Sequence, residues 1–243
     1  ASTLKVTGVI SSAIAGTGNL TKTGTGTLQL TAANTFSGGF ANIQNGAVQL
    51  SGSGALNNAT IVVLGNGANS GQLVLGDAAA VKTQVVAGLM TSGTGTTNSI
   101  VAGGNAANST LTFTGNVATP SVYSGTIGGA GTNQDKIALS ITSGILTLTG
   151  SNTFNGGTTM TGGVLNLNTA SAIGSGALNL NGASVAIDNT SGSPITLSTN
   201  NAFLPAQYRT AIGTATTFTF GKLLNQQPAN LTKRSEEMVK NTG

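Results

Sequence analysis

The chain repeats a pattern of two leucines, an asparagine, a phenylalanine and a glycine pair. Residues 28–39 read LQLTAANTFSGG, and residues 146–157, which lie 118 positions later, read LTLTGSNTFNGG. After a gap of one residue, residues 46–50 (GAVQL) match residues 163–167 (GVLNL). A unit that keeps its apolar positions and turn glycines while its spacing varies is typical of the stacked coils of a solenoid.

Apolar and polar residues alternate along nearly the whole chain, with the period of two that marks half-buried strands. Gly, Asn and Ser clusters separate these short segments, and both Gly and Asn readily adopt the backbone angles of tight turns. Many short strands with frequent turns predict an all-β fold. The inward-facing pairs are expected to be Leu28/Leu30, Val48/Leu50, Leu73/Leu75, Leu111/Phe113, Leu146/Leu148, Leu165/Leu167, Leu178/Leu180, Val185/Ile187, Ile195/Leu197 and Phe218/Phe220.

We therefore predict a parallel β-helix over residues 1–202, with two repeat units at about 8–77 and 122–190. Coils of roughly 20 residues stacked about 4.8 Å apart would give about ten coils and a rod roughly 50 Å long. A sandwich of Greek-key strands is the alternative fold. It would explain the alternation but not the repeat.

Residues 18–39 resemble the autotransporter-associated β-strand repeat of bacterial surface proteins, whose pattern is approximately LxKxGxGTLxLxGxNxYxGGTxVxxGxLxL. Lys22, Asn34, Phe36 and the glycine pair stand at the pattern's positions. The second copy matches from Leu146 onward but lacks the lysine and one glycine upstream. The resemblance implies a right-handed parallel β-helix in a secreted passenger-type protein. It implies no catalytic residues.

Side chains that perform acid–base or metal chemistry are scarce, since the chain has no His, no Cys and only five acidic residues. Asp77, Asp135 and Asp188 are the three acids of the main body, and they would have to supply any glycosidase dyad, which needs carboxyl groups about 5–10 Å apart. All three have a simpler interpretation as solvated turn residues. We expect no catalytic, cofactor or metal site and no enzymatic activity.

Two glycine-rich motifs suggest ligands on first inspection. Residues 16–18 and 24–26 (both GTG) resemble phosphate-binding loops, but such loops precede a helix and a strand is expected here. Residues 128–135 resemble a calcium-binding β-roll nonapeptide, with Asn133 where the ligand aspartate belongs. The motif occurs once, so we expect no calcium site.

The net charge of +4 and pI near 9.7 reflect scarce acids rather than a basic patch. Four lysines are spread over residues 1–202, so the chain lacks the clustered cations of a nucleic-acid interface. It also lacks any apolar run of about 18 residues, the length of a membrane-spanning helix. We expect no nucleic-acid partner and no helical membrane span.

Residues 203–243 differ from the rest, because they carry seven of the fourteen charged residues. They are predicted to form a C-terminal strand and a charged tail that caps or joins the solenoid. Residues 4–10 are predicted to be a bare strand at the other end. Pairing between unlike ends would propagate into fibres.

The sequence thus predicts a non-catalytic structural or adhesive module, extracellular or on the bacterial cell surface. Its partners would be a glycan or a host or abiotic surface. One alternative is a subunit that associates end to end into a filament or matrix. Another is a β-helical protein that binds or degrades polysaccharide.

Overall fold

The computed structural model describes residues 8–53, 55–182, 184–197, 202–203 and 218–220. Within these residues every regular element is a β-strand. The first eleven are β1 Gly8–Ile10, β2 Leu20–Lys22, β3 Thr27–Leu30, β4 Phe40–Ile43, β5 Gly46–Leu50, β6 Ile61–Leu64, β7 Gly71–Leu75, β8 Thr83–Val86, β9 Gly88–Thr91, β10 Ser99–Ala102 and β11 Ser109–Thr114. The others are β12 Ser121–Tyr123, β13 Thr126–Ile127, β14 Ile137–Ser143, β15 Ile145–Leu148, β16 Thr158–Met160, β17 Gly163–Leu167, β18 Leu178–Leu180, β19 Val185–Asn189, β20 Ile195–Leu197, β21 Ala202–Phe203 and β22 Phe218–Phe220.

The strands pair in parallel and stack into three faces. Face 1 contains β2, β4, β6 and β9, followed by β12, β15, β17 and β19; the backbone N–H of Leu89 donates to Ser121 Oγ and joins the two groups. Face 2 contains β1, β3, β5, β7, β10 and β13. Face 3 contains β8, β11, β14, β16, β18 and β21, and β20 pairs with β22 separately. The predicted parallel β-helix is confirmed.

Coil length varies along the rod because the third face is not always a strand. Hydrogen bonds between neighbouring coils join residues 20 apart near the start (Ile14 to Asn34) and 19 apart near the end (Thr147 to Asn166). In the middle, where all three faces carry strands, the separation rises to 27 (Lys82 to Ser109) and reaches 33 between Thr91 and Ser124. The expected ten coils of about 20 residues are therefore too many. The eight strands of face 1 span about 34 Å at the usual 4.8 Å spacing.

The core is a continuous column of inward-facing aliphatic side chains. Leu28 and Leu30 are 0% and 1% exposed, and Leu146 and Leu148 are both 0% exposed. The aromatic residue of each repeat copy, Phe36 or Phe154, is also buried. The alternation therefore predicted the inward residues correctly for the pairs from Leu28/Leu30 to Ile195/Leu197, whereas the side chains of Phe218 and Phe220 lie outside what the structure describes.

The two repeat copies do not occupy the same faces. In the first copy the leucine strand β3 lies on face 2, and the turn around Asn34 lies on face 3 beside Ala55. In the second copy the leucine strand β15 lies on face 1, and the turn around Asn152 stacks on Ile127 of face 2. The distance along the chain from β3 to β15 is not a whole number of coils, because the two strands lie on different faces. The second copy is therefore rotated by one face about the rod axis.

Close backbone approach at the corners of the coils requires glycine. Gly163, at the start of β17, has a φ of +86°, and a Cβ added there would lie 2.7 Å from the carbonyl oxygen of Gly144 in the preceding coil. Gly39 has nearly the same φ, +87°, but a Cβ there would meet nothing within 4 Å. Substitution of Gly39 therefore tests the strain of a positive φ alone, and substitution of Gly163 tests the same strain together with a clash against the preceding coil.

The strands predicted at the two ends lie largely outside the described residues. Of the predicted strand 4–10, residues 8–10 are described and form β1, which pairs with β3. Of the predicted strand near residue 220, residues 218–220 are described as β22, parallel to β20. The charged segment 221–243, predicted to be a cap or junction, lies outside the described residues.

We predict that Gly163→Ala destabilises the protein more than Gly39→Ala. Both alanines must adopt a positive φ, which costs about 1–2 kcal/mol. Only the alanine at 163 also pushes against the neighbouring backbone, which adds about 1–3 kcal/mol. Urea denaturation of the two variants measures the difference. Equal losses would contradict the close stacking of coils at this corner.

Candidate functional site

The asparagine of each repeat copy joins three successive coils from inside the rod. Asn34 Oδ1 accepts from the backbone N–H of Ile14 in the coil before it, and its Nδ2 donates to the carbonyl of Ala55 in the coil after it. Asn152 makes the same bonds, accepting from Ile127 N–H and donating to the Ala172 carbonyl. The two side chains are only 5% and 4% exposed. The motif asparagine is thus a structural bridge with both ends of its amide occupied.

Other buried amides bond to the backbone of the preceding coil where the repeat pattern is weak. Gln84 is 1% exposed, and its side chain both accepts from the N–H of Leu56 and donates to the Leu56 carbonyl. Asn98, 3% exposed, accepts from Gly71 N–H and donates to the Gly95 carbonyl. These contacts satisfy backbone groups that the strand ladders leave unpaired at the turns.

The lysine of the first copy is buried and bound to backbone oxygen atoms. Lys22 is 1% exposed, and its Nζ donates to the carbonyls of Thr23, Gly24 and Asn45 at 3.0, 2.7 and 3.3 Å. Burial lowers the pKa of the Lys22 ammonium group from its ordinary value. In the second copy Ile141, also inward-facing and buried, occupies the corresponding strand position. An apolar side chain is therefore compatible with this place in the coil.

The three candidate acids do not share one site. Asp77 lies in the turn after β7, where its Oδ1 accepts from the N–H groups of Ala79 and Ala80. Asp135 precedes β14 and accepts from Asn155 Nδ2 in the next coil at 2.6 Å. Asp188 lies on β19 of face 1, in register with Asn166. Asp77 and Asp135 each follow a face 2 strand, with the turn after β10 between them, and are therefore about two coil spacings, roughly 10 Å, apart along the axis.

The glycine-rich motifs are used for turns. The strands β2 and β3 follow the two GTG segments, so a helix N-terminus is not formed there. Asn133, at the place of the calcium-ligand aspartate, has a φ of +57° and donates from Nδ2 to the Gly104 carbonyl of the preceding coil. Among the described residues, no group of three or more His, Cys, Asp or Glu side chains is placed to hold a metal ion.

The outward sides of the faces differ in polarity. On face 3 an outward row begins at Val85 and continues with hydroxyl and amide side chains, namely Thr112, Ser140, Thr159 and Asn179 in successive strands. On face 1 an outward row is apolar, and consists of Phe40, Ile61 and Gly88, then Ile145, Val164 and Ala186. Phe40 is 38% exposed in this row, and Val122, which is 48% exposed, lies in the neighbouring outward row in register with Thr147. Clusters of exposed apolar side chains are typical of interaction surfaces.

A shallow, open depression of about 460 Å³ lies at the start of the face 2 strands. We call it the corner groove. Its lining crosses four successive coils and comprises Thr25, Thr27, Gly46, Ala47, Ser70, Gly71, Gln72, Thr97 and Ser99. Thr27, Ala47, Gln72 and Ser99 are register neighbours in β3, β5, β7 and β10.

Sequence reasoning did not identify the corner groove. Its lining residues come from coils of different length, so they become neighbours only when the strand register is known. A Cβ added at Gly46 would lie 2.4 Å from the carbonyl oxygen of Gly26 in the preceding coil, so this glycine serves the corner of the coil, and Ala47 is the small outward residue of the groove.

Together these features define a parallel β-solenoid whose coils are joined by internal amides and glycine corners. Residues 20–50 and 143–167 both match the family model described as the passenger-associated-transport-repeat. The chain thus carries two autotransporter passenger repeats, and the resemblance found in the sequence is confirmed. The family is a repeat rather than a catalytic family. No curated protein and no solved structure matches the chain significantly.

No helix long and apolar enough to cross a membrane occurs in the part of the chain that the structure describes.

We predict that Asn152→Asp lowers the free energy of unfolding by about 2–3 kcal/mol. The aspartate keeps the shape but removes the Nδ2 donor and places a carboxylate opposite the Ala172 carbonyl. Asn179→Asp is the matched control, because Asn179 faces outward on β18 and its register partners, Thr159 and Phe203, carry no charge; its loss should stay under about 1 kcal/mol. Chemical denaturation compares the two. Similar losses would show that Asn152 is not a bridge between coils.

Proposed function

We propose that this chain is a non-catalytic structural module of an autotransporter passenger, secreted to the bacterial cell surface or beyond it, where it serves as a spacer. The two passenger repeats support the assignment to a secreted autotransporter passenger. The observation that carries the spacer role is the stacking itself. Each coil is bonded to the coil before and the coil after, as the bonds of Asn34 and Asn152 illustrate.

Such a stack extends along one axis without a change in its core. In solenoids each unit contacts only its neighbours, so stability is approximately a sum of unit and interface contributions. Coils of different length coexist in this rod, as the separations of 19 and 27 between coil neighbours demonstrate. A spacer has to be folded and long, but its coils do not have to be identical. A fold that accepts coils of different length therefore suits this role.

We predict that a duplicated whole coil is tolerated and a duplicated half coil is not. Leu28 pairs with Val48, so a second copy of residues 28–47 inserted after Ala47 adds one complete coil. The rod should lengthen by about 4.8 Å, remain cooperative in unfolding, and still present an N-terminal epitope on displaying cells. A second copy of residues 28–37 breaks the register and should abolish both folding and display.

The same preparations test the spacer proposal against an enzymatic one. We expect the full chain to leave polysaccharide substrates unchanged. Turnover that disappears in Asp77→Asn, Asp135→Asn or Asp188→Asn would overturn the non-catalytic assignment. Small-angle scattering checks the rod length, and failure of the whole-coil insertion to fold would contradict the modular spacer.

The apolar row on face 1 favours self-association as a second candidate function. The row from Phe40 to Ala186 carries no charged side chain, and a second copy of the chain presents the same row with the same coil spacing. Two flat sheets with apolar faces pack about 10 Å apart. The occupant that fits this row is therefore a second rod packed side by side, and repeated pairing would build a filament or matrix.

We predict that Val122→Lys weakens this association. Val122 is 48% exposed on face 1 and pairs with Thr147, two positions along β15 from Ile145, so a lysine there adds a charge beside the row without entering the core. Val117, 64% exposed in the loop after β11, gives the control Val117→Lys. Light scattering over a range of concentrations should show mass rising for the natural chain and Val117→Lys but not for Val122→Lys. A natural chain that stays monomeric would remove this candidate.

A further inference from the structure

Four asparagines in the chain precede a glycine, at positions 45, 66, 155 and 181. In such a pair the backbone nitrogen of the glycine can attack the side-chain carboxamide of the asparagine, because glycine has no side chain to obstruct the approach. All four pairs share this local sequence, so the structure around each pair decides how fast it reacts. The fourth pair borders residue 183, which lies outside the described residues.

The nitrogen and the carboxamide are held side by side at Asn45. The Gly46 N–H donates to Asn45 Oδ1 at 2.8 Å, and Asn45 Nδ2 donates to Asn69 Oδ1 in the next coil at 3.4 Å. Because both ends of the carboxamide are fixed beside the attacking nitrogen, part of the entropy cost of the attack is already met. Gly46 also lines the open corner groove, so water and hydroxide reach this peptide.

A buried cation is bonded to the same peptide group. Lys22 Nζ donates to the Asn45 carbonyl at 3.3 Å, and Lys22 is 1% exposed. The attack requires loss of the Gly46 N–H proton, after which the negative charge is shared between the peptide nitrogen and the Asn45 carbonyl oxygen. A cation beside that oxygen stabilises the charged state, as oxyanion-binding donors do in enzymes. Burial strengthens this effect, because little water screens the ammonium group.

The other two described pairs have different surroundings. The Asn66 carbonyl accepts from a neutral backbone N–H at 3.0 Å. In the pair at Asn155, the Gly156 N–H donates to the Ile137 carbonyl at 2.9 Å, which holds its proton in place. Asn155 Nδ2 also donates to Asp135 Oδ2, and that carboxylate opposes a further negative charge nearby. The pair at Asn45 is therefore the one that its surroundings activate.

We propose that Asn45 and Gly46 form a self-modifying site, in which the Lys22 ammonium group promotes closure of a cyclic imide. Hydroxide from solvent removes the Gly46 N–H proton, the nitrogen bonds to Cγ of Asn45, and the Cγ–Nδ2 bond breaks. The departing amide nitrogen takes a proton from water and leaves as ammonia, which regenerates hydroxide. Water then opens the imide at either of its carbonyls, so that aspartate or isoaspartate stands at position 45. The reaction occurs once per chain and turns over no external substrate.

Isoaspartate adds a methylene group to the main chain at a corner that has no room for it. Gly46 has a φ of +69° and leaves no space for a Cβ beside Gly26 of the preceding coil. The longer backbone therefore disturbs the start of β5, where Ala47 pairs with Thr27. Either product also loses the Nδ2 donor to Asn69. The modification thus weakens the stacking of this corner as the protein ages.

This modification goes beyond the spacer role, and the two proposals fail separately. A rod whose Asn45 never reacts is still a spacer, whereas a chain that does not tolerate an inserted coil still modifies itself. Circular dichroism and cooperative unfolding of each variant establish that the measured rates refer to the folded chain.

The first test incubates the folded full chain at mildly alkaline pH and follows each pair by peptide mapping with mass spectrometry, which distinguishes amide, imide, aspartate and isoaspartate. We expect Asn45 to react at least about threefold faster than Asn66, although Asn66 is the more exposed, and Asn155 to react slowest of the three. In guanidinium chloride the contacts are lost, and the three should react at similar rates. Faster reaction of Asn66 than of Asn45 in the folded chain would overturn the proposal.

The second test removes the cation. Lys22→Ile should slow the reaction at Asn45 about tenfold. The variant should fold, because Ile141 occupies the corresponding position in the second repeat copy. A loosened corner alone would have the opposite effect and speed the reaction, since local opening gives the peptide more access to the attacking geometry. If the variant does not fold, the comparison of Asn45 with Asn66 in the natural chain still decides.

Lys82→Ile is the matched control, because it removes the same charge at a distant place. Lys82 Nζ donates to the Gly52 carbonyl, beyond the opposite end of β5 from Asn45. This control should leave the rate at Asn45 unchanged. An unchanged or faster rate at Asn45 in folded Lys22→Ile, or an equal slowing in Lys82→Ile, would overturn the proposal.

Discussion

The structure depends on parallel backbone pairing between successive coils about 4.8 Å apart. Each coil must present a complete row of N–H and C=O groups to the next, while the chain turns three corners to return to its starting face. Strands satisfy this requirement on the faces, as in the pairing of Leu28 with Val48. At the corners a glycine such as Gly163 removes the Cβ that would otherwise separate the coils. At the turns the amides of Asn34 and Asn152 replace the missing ladder bonds.

The same requirement explains why the second repeat copy can rotate by one face. Inside the rod the three faces are chemically alike, since each supplies inward aliphatic side chains to one column. The repeat needs a strand, a turn with a buried asparagine and another strand in that order, and it does not need a particular face. The leucine strand of the second copy, β15, lies on face 1, one face earlier in the coil than the leucine strand of the first copy, β3 on face 2. Corresponding outward residues of the two copies therefore point in different directions, with Gln29 on face 2 and Thr147 on face 1.

The sequence allowed prediction of the strands and their inward residues, but not of the coil lengths or of the register between coils. Alternation predicted the burial of Leu28 and Leu146, and the repeat predicted parallel coils, because both depend on residues close together in the chain. The predicted coil length of about 20 residues was wrong for the middle of the rod, since nothing in the local sequence distinguishes a turn from the short strand β8. The corner groove was missed for the same reason. Thr27 and Gln72 become neighbours only through the register of an intervening coil. The bonds of Asn152 were equally unpredictable, although its recurrence marked it as important.

The most direct test of the account is a disulfide across the join between the middle coils and the second copy. Thr91 Oγ1 and Ser124 Oγ lie 2.6 Å apart on face 1, within reach of a disulfide between cysteines at these positions. The chain has no natural cysteine, so Thr91→Cys with Ser124→Cys introduces a single possible pair. The account predicts that mild oxidation closes an intramolecular disulfide, shown by peptide mapping, in a chain that remains folded. If the thiols of the folded double variant stay free, the stacked coils and the rotated second copy described above are contradicted.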